Sequence, residues 1–265
     1  MEWDAHGPDV SPAILFLHGL GSNARYWDRV AGCLPSRRRV ALDVIPADAD
    51  QAALAELVTD IAYAVDELEL PKPVVVGHSW GAALGLELVV TNPQLAAGFV
   101  FVDGPIFSVA RAFSWEEVQA LMQPPFHHYA SVEEAVAELR GYLADAWDDD
   151  LTQFVAAGLK REEGGFVSRL TSPVRLRILR DLHDSDPESL WPKVGIPAGV
   201  LIARKSDATL ARSTEDGVMR MAEIAPAVAI KRFSTPHDIP LYAPLEVARE
   251  IEEIASRARV EAIGR

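Results

Sequence analysis

A serine flanked by glycines, Gly77-His78-Ser79-Trp80-Gly81, follows the apolar run Val74-Val75-Val76 and precedes a helical pattern over Ala82–Val90. A serine on a sharp strand-to-helix bend lifts its hydroxyl above the sheet. Such a bend needs residues without side chains two positions to either side, where backbone segments crowd. The helix that starts there turns free backbone N–H groups, and the positive end of its dipole, toward the hydroxyl, which favours an oxyanion forming beside it. The Trp80 amide is the first candidate donor. The chemistry expected is attack of Ser79 on a carbonyl carbon. A serine hydroxyl is a weak nucleophile near neutral pH unless a base removes its proton, and histidine titrates in the useful range. Seven histidines compete for that role.

The elements that must position these residues are read from hydrophobic period and turn residues. Short apolar runs at 13–17, 39–42, 74–76, 98–102, 200–203 and 230–233 read as strands. They alternate with helical patterns over 26–34, 51–68, 82–90, 214–224 and 244–257. That alternation implies right-handed crossovers and a mostly parallel central sheet flanked by helices, an α/β fold. Between Pro105 and Pro192 it stops, leaving helical patterns at 115–122, 132–147 and 151–160 and no strand. The expected organisation is therefore a core of residues 1–104 and 193–265 with an inserted helical cap, 105–192. Most of the cap's aromatic residues are expected to pack its helices, and the rest to line a pocket.

In this strand-bend-helix setting the Gly-x-Ser-x-Gly segment resembles that of the α/β-hydrolase superfamily, and the resemblance extends over nearly the whole chain, weakest in the cap. It implies a base in the loop after the last strand, where His237 stands in Ser234-Thr235-Pro236-His237-Asp238. It implies an acid after the penultimate strand, Asp207, with Asp103 at the end of the 98–102 strand as the alternative that some relatives use. It implies a second oxyanion donor, the Leu20 amide, because His18-Gly19-Leu20 matches the family's His-Gly pair after an early strand. His18 is then expected to be a structural hydrogen-bonder, and the His78 side chain to turn away from the site. An aspartate at the bend would suggest dehalogenase or epoxide hydrolase chemistry, but Ser79 stands there. Two departures from the pattern are visible. Asp43–Asp48 runs almost directly into a helix where relatives carry a Gly-x-Gly-x-Ser turn, and no strand is read before Ala13, so a smaller sheet is expected.

Composition narrows the partners. The chain has 265 residues, enough for one large core, with 49% apolar and 24% charged residues, ordinary for a folded protein. Its formal charge of −14 repels nucleic acid and anionic membranes, so neither is expected as a partner. No apolar run is long enough for a bilayer, and no basic-then-apolar segment opens the sequence. Cys33 is the single cysteine, which excludes an internal disulfide framework and fits a reducing cytoplasm, the expected location. There is no His/Cys cluster of metal-ligand spacing, no phosphate loop and no Gly-x-Gly-x-x-Gly after a strand, so no metal and no cofactor are expected. The expected function is that of a serine hydrolase cleaving carboxylic ester or lactone bonds through an acyl-enzyme, on a small-molecule substrate with an apolar portion. Two alternatives stay open: carbon–carbon bond hydrolysis of a ketone-bearing acid, with Arg111, Arg175 or Arg177 as the binding cation, and a non-catalytic ligand-binding protein of the same fold. Oligomeric state is not set by these features.

Overall fold

The protein is described by a computed structural model covering residues 2–8, 11–122 and 127–263. Among the described residues the strands are β1 (Glu2–His6), β2 (Ile14–Leu17), β3 (Arg39–Asp43), β4 (Val74–His78), β5 (Gly98–Val102), β6 (His128–Tyr129), β7 (Leu159–Glu162), β8 (Gly165–Ser168), β9 (Ala198–Ile202) and β10 (Ala229–Arg232). Seven form the main sheet in the order β1-β3-β2-β4-β5-β9-β10, parallel throughout except for β1, which runs antiparallel to β3.

The central strands β2, β4, β5 and β9 are buried along their whole length. A strand covered on both faces has no wet side to pattern, which is why these segments read as continuous apolar runs. Successive residues still alternate between two cores. Leu15, Leu17, Val75, Phe99 and Phe101 pack with Leu57, Ile61 and Leu84 on one face. Ile14, Phe16, Val74, Val76 and Val100 pack with Trp27, Val30, Val247 and Ile251 on the other. The register then decides what the strand ends present. Leu17 is level with Gly77, and His78 with Val102, so His18, Ser79 and Asp103 emerge from three neighbouring strands at one edge of the sheet.

Two features depart from the sequence expectation. The residues before Ala13 do hold a strand: β1 pairs with β3 from Glu2↔Asp43 to His6↔Arg39 and covers an edge that would otherwise be open. The inserted region also contains strands, since β6, β8 and β7 make a small antiparallel sheet in which Glu162 is level with Gly165 across a two-residue turn. These strands are two to four residues long and mostly half-exposed, too short for a period to register. Helix bounds shift too. The 51–68 pattern is a 3-10 turn at Asp50–Ala52 followed by a helix over Leu54–Glu67, and the 214–224 pattern starts earlier, as a helix over Ala208–Ile224.

Polar bonds fasten the inserted region to the core. Arg29 donates to the Ala146 carbonyl at 2.7 Å and to Asp150 at 2.7 Å, and the Asn23 amide donates to the Phe154 carbonyl at 2.9 Å. Arg169 bridges to the buried Asp43 at 2.6 Å. Among the described residues no helix is long and apolar enough to cross a membrane.

Candidate active site

Ser79 ends the turn between β4 and the helix Trp80–Thr91 with φ 55° and ψ −118°, a conformation that costs a non-glycine residue of order 1–3 kcal/mol. The surroundings impose it. A Cβ on Gly77 would lie 2.2 Å from the Gly81 carbonyl oxygen, and one on Gly81 would lie 2.3 Å from the Leu17 carbonyl oxygen, so the bend closes only with glycine at both places. The Ser79 amide is tied to the Val102 carbonyl at 2.9 Å, holding the bend against β5.

The loop after β2 lies against the serine, since a Cβ on Gly19 would be 3.3 Å from the Ser79 Cβ. His18 shapes that loop: its Nδ1–H donates to the Gly19 carbonyl at 2.8 Å, while its Nε2 accepts the Val44 N–H at 2.9 Å. An imidazole that donates at one nitrogen and accepts at the other is neutral, and burial lowers its pKa in agreement. The Leu20 and Trp80 amides find no acceptor among the described residues.

His237 donates from Nδ1 to a carboxylate oxygen at 2.6 Å, and the carboxylate is that of Asp103. Asp207 is elsewhere. Its side chain accepts the Leu210 N–H at 2.7 Å and caps the helix Ala208–Ile224, so the carboxylate that meets His237 is the alternative at the end of β5 and not the one expected after the penultimate strand. A helix start and a partner for an imidazole are both places where Asp is used, and sequence order does not separate them.

Asp103 is deeply buried, with its side chain 1% exposed and φ 48°. One oxygen accepts the Ala203 N–H at 2.8 Å. The other accepts both His237 and the Lys205 ammonium, the latter at 2.5 Å. Burial pushes its pKa up, but the hydrogen bond from His237 and the charge of Lys205 outweigh this and hold it at about 2. With Nδ1–H committed to Asp103, the His237 Nε2 is the nitrogen left to take a proton.

Sequence reading missed two residues here. Lys205 sits in the loop where an acid was expected and reaches back to Asp103 instead. The His78 side chain does not turn away: its ring lies 4.6 Å from that of His237, stacks on Tyr26 at 4.8 Å, and its Nε2–H donates to the His237 carbonyl at 3.1 Å. Burial, and then the charge of His237, hold the His78 pKa well below the usual range, so it is a neutral prop for the loop. The Tyr26 hydroxyl donates to Asp238 at 3.1 Å, fixing the same loop from below.

Ser79, His237, Gly19 and Leu20 line one cavity of about 150 Å³ whose walls include Tyr26, Tyr142 and Phe154. A second cavity of about 320 Å³ shares Gly21, Leu139, Tyr142 and Phe154 with it and extends under the inserted helices. A larger one, about 440 Å³, opens behind Lys205 and contains neither Ser79 nor His237. Among the described residues no group of three His, Cys, Asp or Glu side chains is placed to hold a metal ion. The arrangement offers a strained hydroxyl, an oriented imidazole and two free amides around one small, partly aromatic space.

Comparison with known proteins agrees with this architecture. The lipase LipV of Mycobacterium tuberculosis is 30% identical over 155 residues, covering 54% of this chain and 54% of that protein. Epoxide hydrolase 3 of Mus musculus is 31% identical over 116 residues, covering 41% of this chain and 32% of that one. The chain thus spans about half or less of the curated relatives it matches. The solved structure of E-2-(acetamidomethylene)succinate hydrolase superposes with a TM-score of 0.81 at 18% identity, covering 96% of this chain and 94% of that one, a likeness of fold. The profile of the alpha/beta hydrolase family matches residues 14–250, and with that span the chain belongs to the alpha/beta hydrolase family.

Proposed function

We propose that this member of the family is a serine hydrolase of carboxylic esters or lactones, with Ser79 as nucleophile, His237 as base and Asp103 as the orienting acid. The observation that carries the reading is the 2.6 Å bond from His237 Nδ1 to the buried Asp103, which leaves Nε2 free in the cavity that also holds Ser79. A carboxylate there holds the ring in one tautomer and stabilises the cation that forms when the ring takes the serine proton.

In the reaction, Ser79 Oγ bonds to the carbonyl carbon as its proton passes to His237. The carbonyl oxygen takes up negative charge opposite the Leu20 and Trp80 amides, and the alcohol departs with the proton from His237. Water, deprotonated by His237, then adds to the acyl-enzyme; the carboxylic acid leaves and Ser79 is reprotonated. The Ser79 hydroxyl and the imidazole line the same cavity without a hydrogen bond between them, and the reading has that bond form in the substrate complex. A carboxylate at the bend, as an epoxide-opening enzyme of this fold would use, is absent, and Ser79 occupies that place. The small cavity walled by Tyr26, Tyr142 and Phe154 supports a substrate with an apolar portion.

The test is covalent and catalytic at once. A fluorophosphonate probe is expected to label Ser79, and p-nitrophenyl butyrate to be hydrolysed. Ser79→Ala and His237→Ala should each remove nearly all of that activity, and the double variant should lose little more, because the groups act as a unit. Full activity in Ser79→Ala would sink the reading.

A further inference from the structure

Three arginines of the inserted region were candidates to hold an acidic substrate, and the structure separates them. Arg111 is ion-paired to Glu188 at 2.5 Å, and Arg177 to Asp181 at 3.3 Å. Arg175 is different. On the helix Ser172–Asp184, Arg177 and Arg180 each have an acid four residues ahead, whereas Arg175 has Leu179. Its one hydrogen bond among the described residues runs from Nε to the Met122 carbonyl at 2.9 Å, and residues 123–126, which follow Met122, are Gln, Pro, Pro and Phe, with no carboxylate. Among the described residues both terminal nitrogens of the fork are therefore without an anion.

The position of this cation is specific. A Cβ on Gly21, which has φ +77°, would lie 2.9 Å from the Arg175 Nη1, so the guanidinium rests on the backbone of the oxyanion loop, one residue from Leu20. Gly21 and Ser22 both line the cavity that holds Ser79 and His237. Ser22 adds a second, independent sign, because its hydroxyl is buried and has no hydrogen-bond partner among the described residues. A buried hydroxyl without a partner and a half-buried guanidinium without an anion are each unfavourable when empty, and both are relieved by one acceptor with two oxygens. Burial alone lowers the Arg175 pKa, with no carboxylate acting against it. On a chain of net charge −14, a local desolvated cation is also what an anionic substrate would need to approach.

We propose that Arg175 and Ser22 form a carboxylate subsite beside the oxyanion loop, so that the preferred substrates are esters or lactones bearing a free carboxylate a few bonds from the scissile carbonyl. This rests on the serine hydrolase reading for its chemistry, though not for its binding. Arg175 offers a planar two-toothed fork that lysine cannot reproduce, and Ser22 supplies a third donor.

Two ethyl esters that differ only at the far end test it: mono-ethyl glutarate, ending in carboxylate, and ethyl pentanoate, ending in methyl. The wild-type protein should prefer the charged ester by at least about tenfold in kcat/KM, and Arg175→Met should lower that preference by about 30-fold or more, the scale of a lost charged hydrogen bond. Arg175→Lys should fall between them, and Ser22→Ala should lower the preference about threefold to tenfold. A wild-type preference for the uncharged ester, or an equal loss on both esters in Arg175→Met, would overturn the subsite. Calorimetry of glutarate with the Ser79→Ala protein reads binding without turnover. Binding that disappears on adding Arg175→Met or Arg175→Lys supports the subsite even where neither ester is cleaved. Glutarate binding that survives both changes overturns it while leaving the hydrolase reading intact.

Discussion

At the scale of single residues, the acid is the informative case. Asp103 and Asp207 were both legible as candidates, each at the end of a strand, and order along the chain favoured the wrong one for contact with His237. Asp103→Asn is expected to lower kcat for p-nitrophenyl butyrate by several orders of magnitude, about 10³ to 10⁴, because the imidazole loses its tautomer and its counter-charge. Asp207→Ala should leave kcat near wild type and cost about 1 kcal/mol in a urea melt, the usual value of an N-cap. Lys205 makes a further distinction. The folded Asp103 carboxyl titrates at about 2, below its ordinary 3.8, so its contribution to stability is present above pH 3.8 and is lost as pH falls through 2. Lys205→Met removes the ammonium and leaves the hydrogen bond from His237. It should destabilise the protein by about 1–3 kcal/mol at pH 7 and move the acid-unfolding midpoint, followed by circular dichroism, to higher pH. An unchanged midpoint would mean that the ammonium does not hold the carboxylate.

At the scale of elements, the bend between β4 and its helix combines strain with close packing. A Cβ on either of its two glycines would lie under 2.5 Å from backbone atoms that cannot rotate away, so Gly77→Ala and Gly81→Ala should each cost about 3 kcal/mol or more and leave little folded protein. Ser79 points the other way. Its φ of 55° is strained for serine and easy for glycine, so Ser79→Gly should raise stability by about 1 kcal/mol relative to Ser79→Ala, both being inactive. Matched urea melts check this, and equal stabilities would remove strain from the account. The bend was legible because a Gly-x-Ser-x-Gly between a strand run and a helical run has few physical readings. The strands β6, β7 and β8 were not, because pairing across a small half-exposed sheet is decided by neighbours rather than by period.

At the scale of the whole molecule, two buried histidines couple the site to global stability. His18 and His78 are both held below the usual histidine pKa, chiefly by burial, so between their folded values and 6.5 the unfolded chain binds protons that the native state refuses. Stability should therefore be full above about pH 6.5 and decline as pH is lowered, which urea melts at pH 7.5 and 5 would show. A protein equally stable at both values would mean that these imidazoles are accessible to protons.

The sequence by itself determined the alternation of strand and helix and the bend that carries Ser79, because each is written in local pattern and in the steric demands of glycine. It also marked His237 and nominated Asp103 without choosing it. What only the tertiary structure decided is which groups meet. Strand register brings Ser79 and Asp103 to one edge, Lys205 reaches Asp103 at the end of the neighbouring β5, and Arg175 comes to rest on Gly21. Those pairings span tens of residues, and no local propensity encodes them. They follow from how the sheet stacks its strand ends and how the inserted helices close over it.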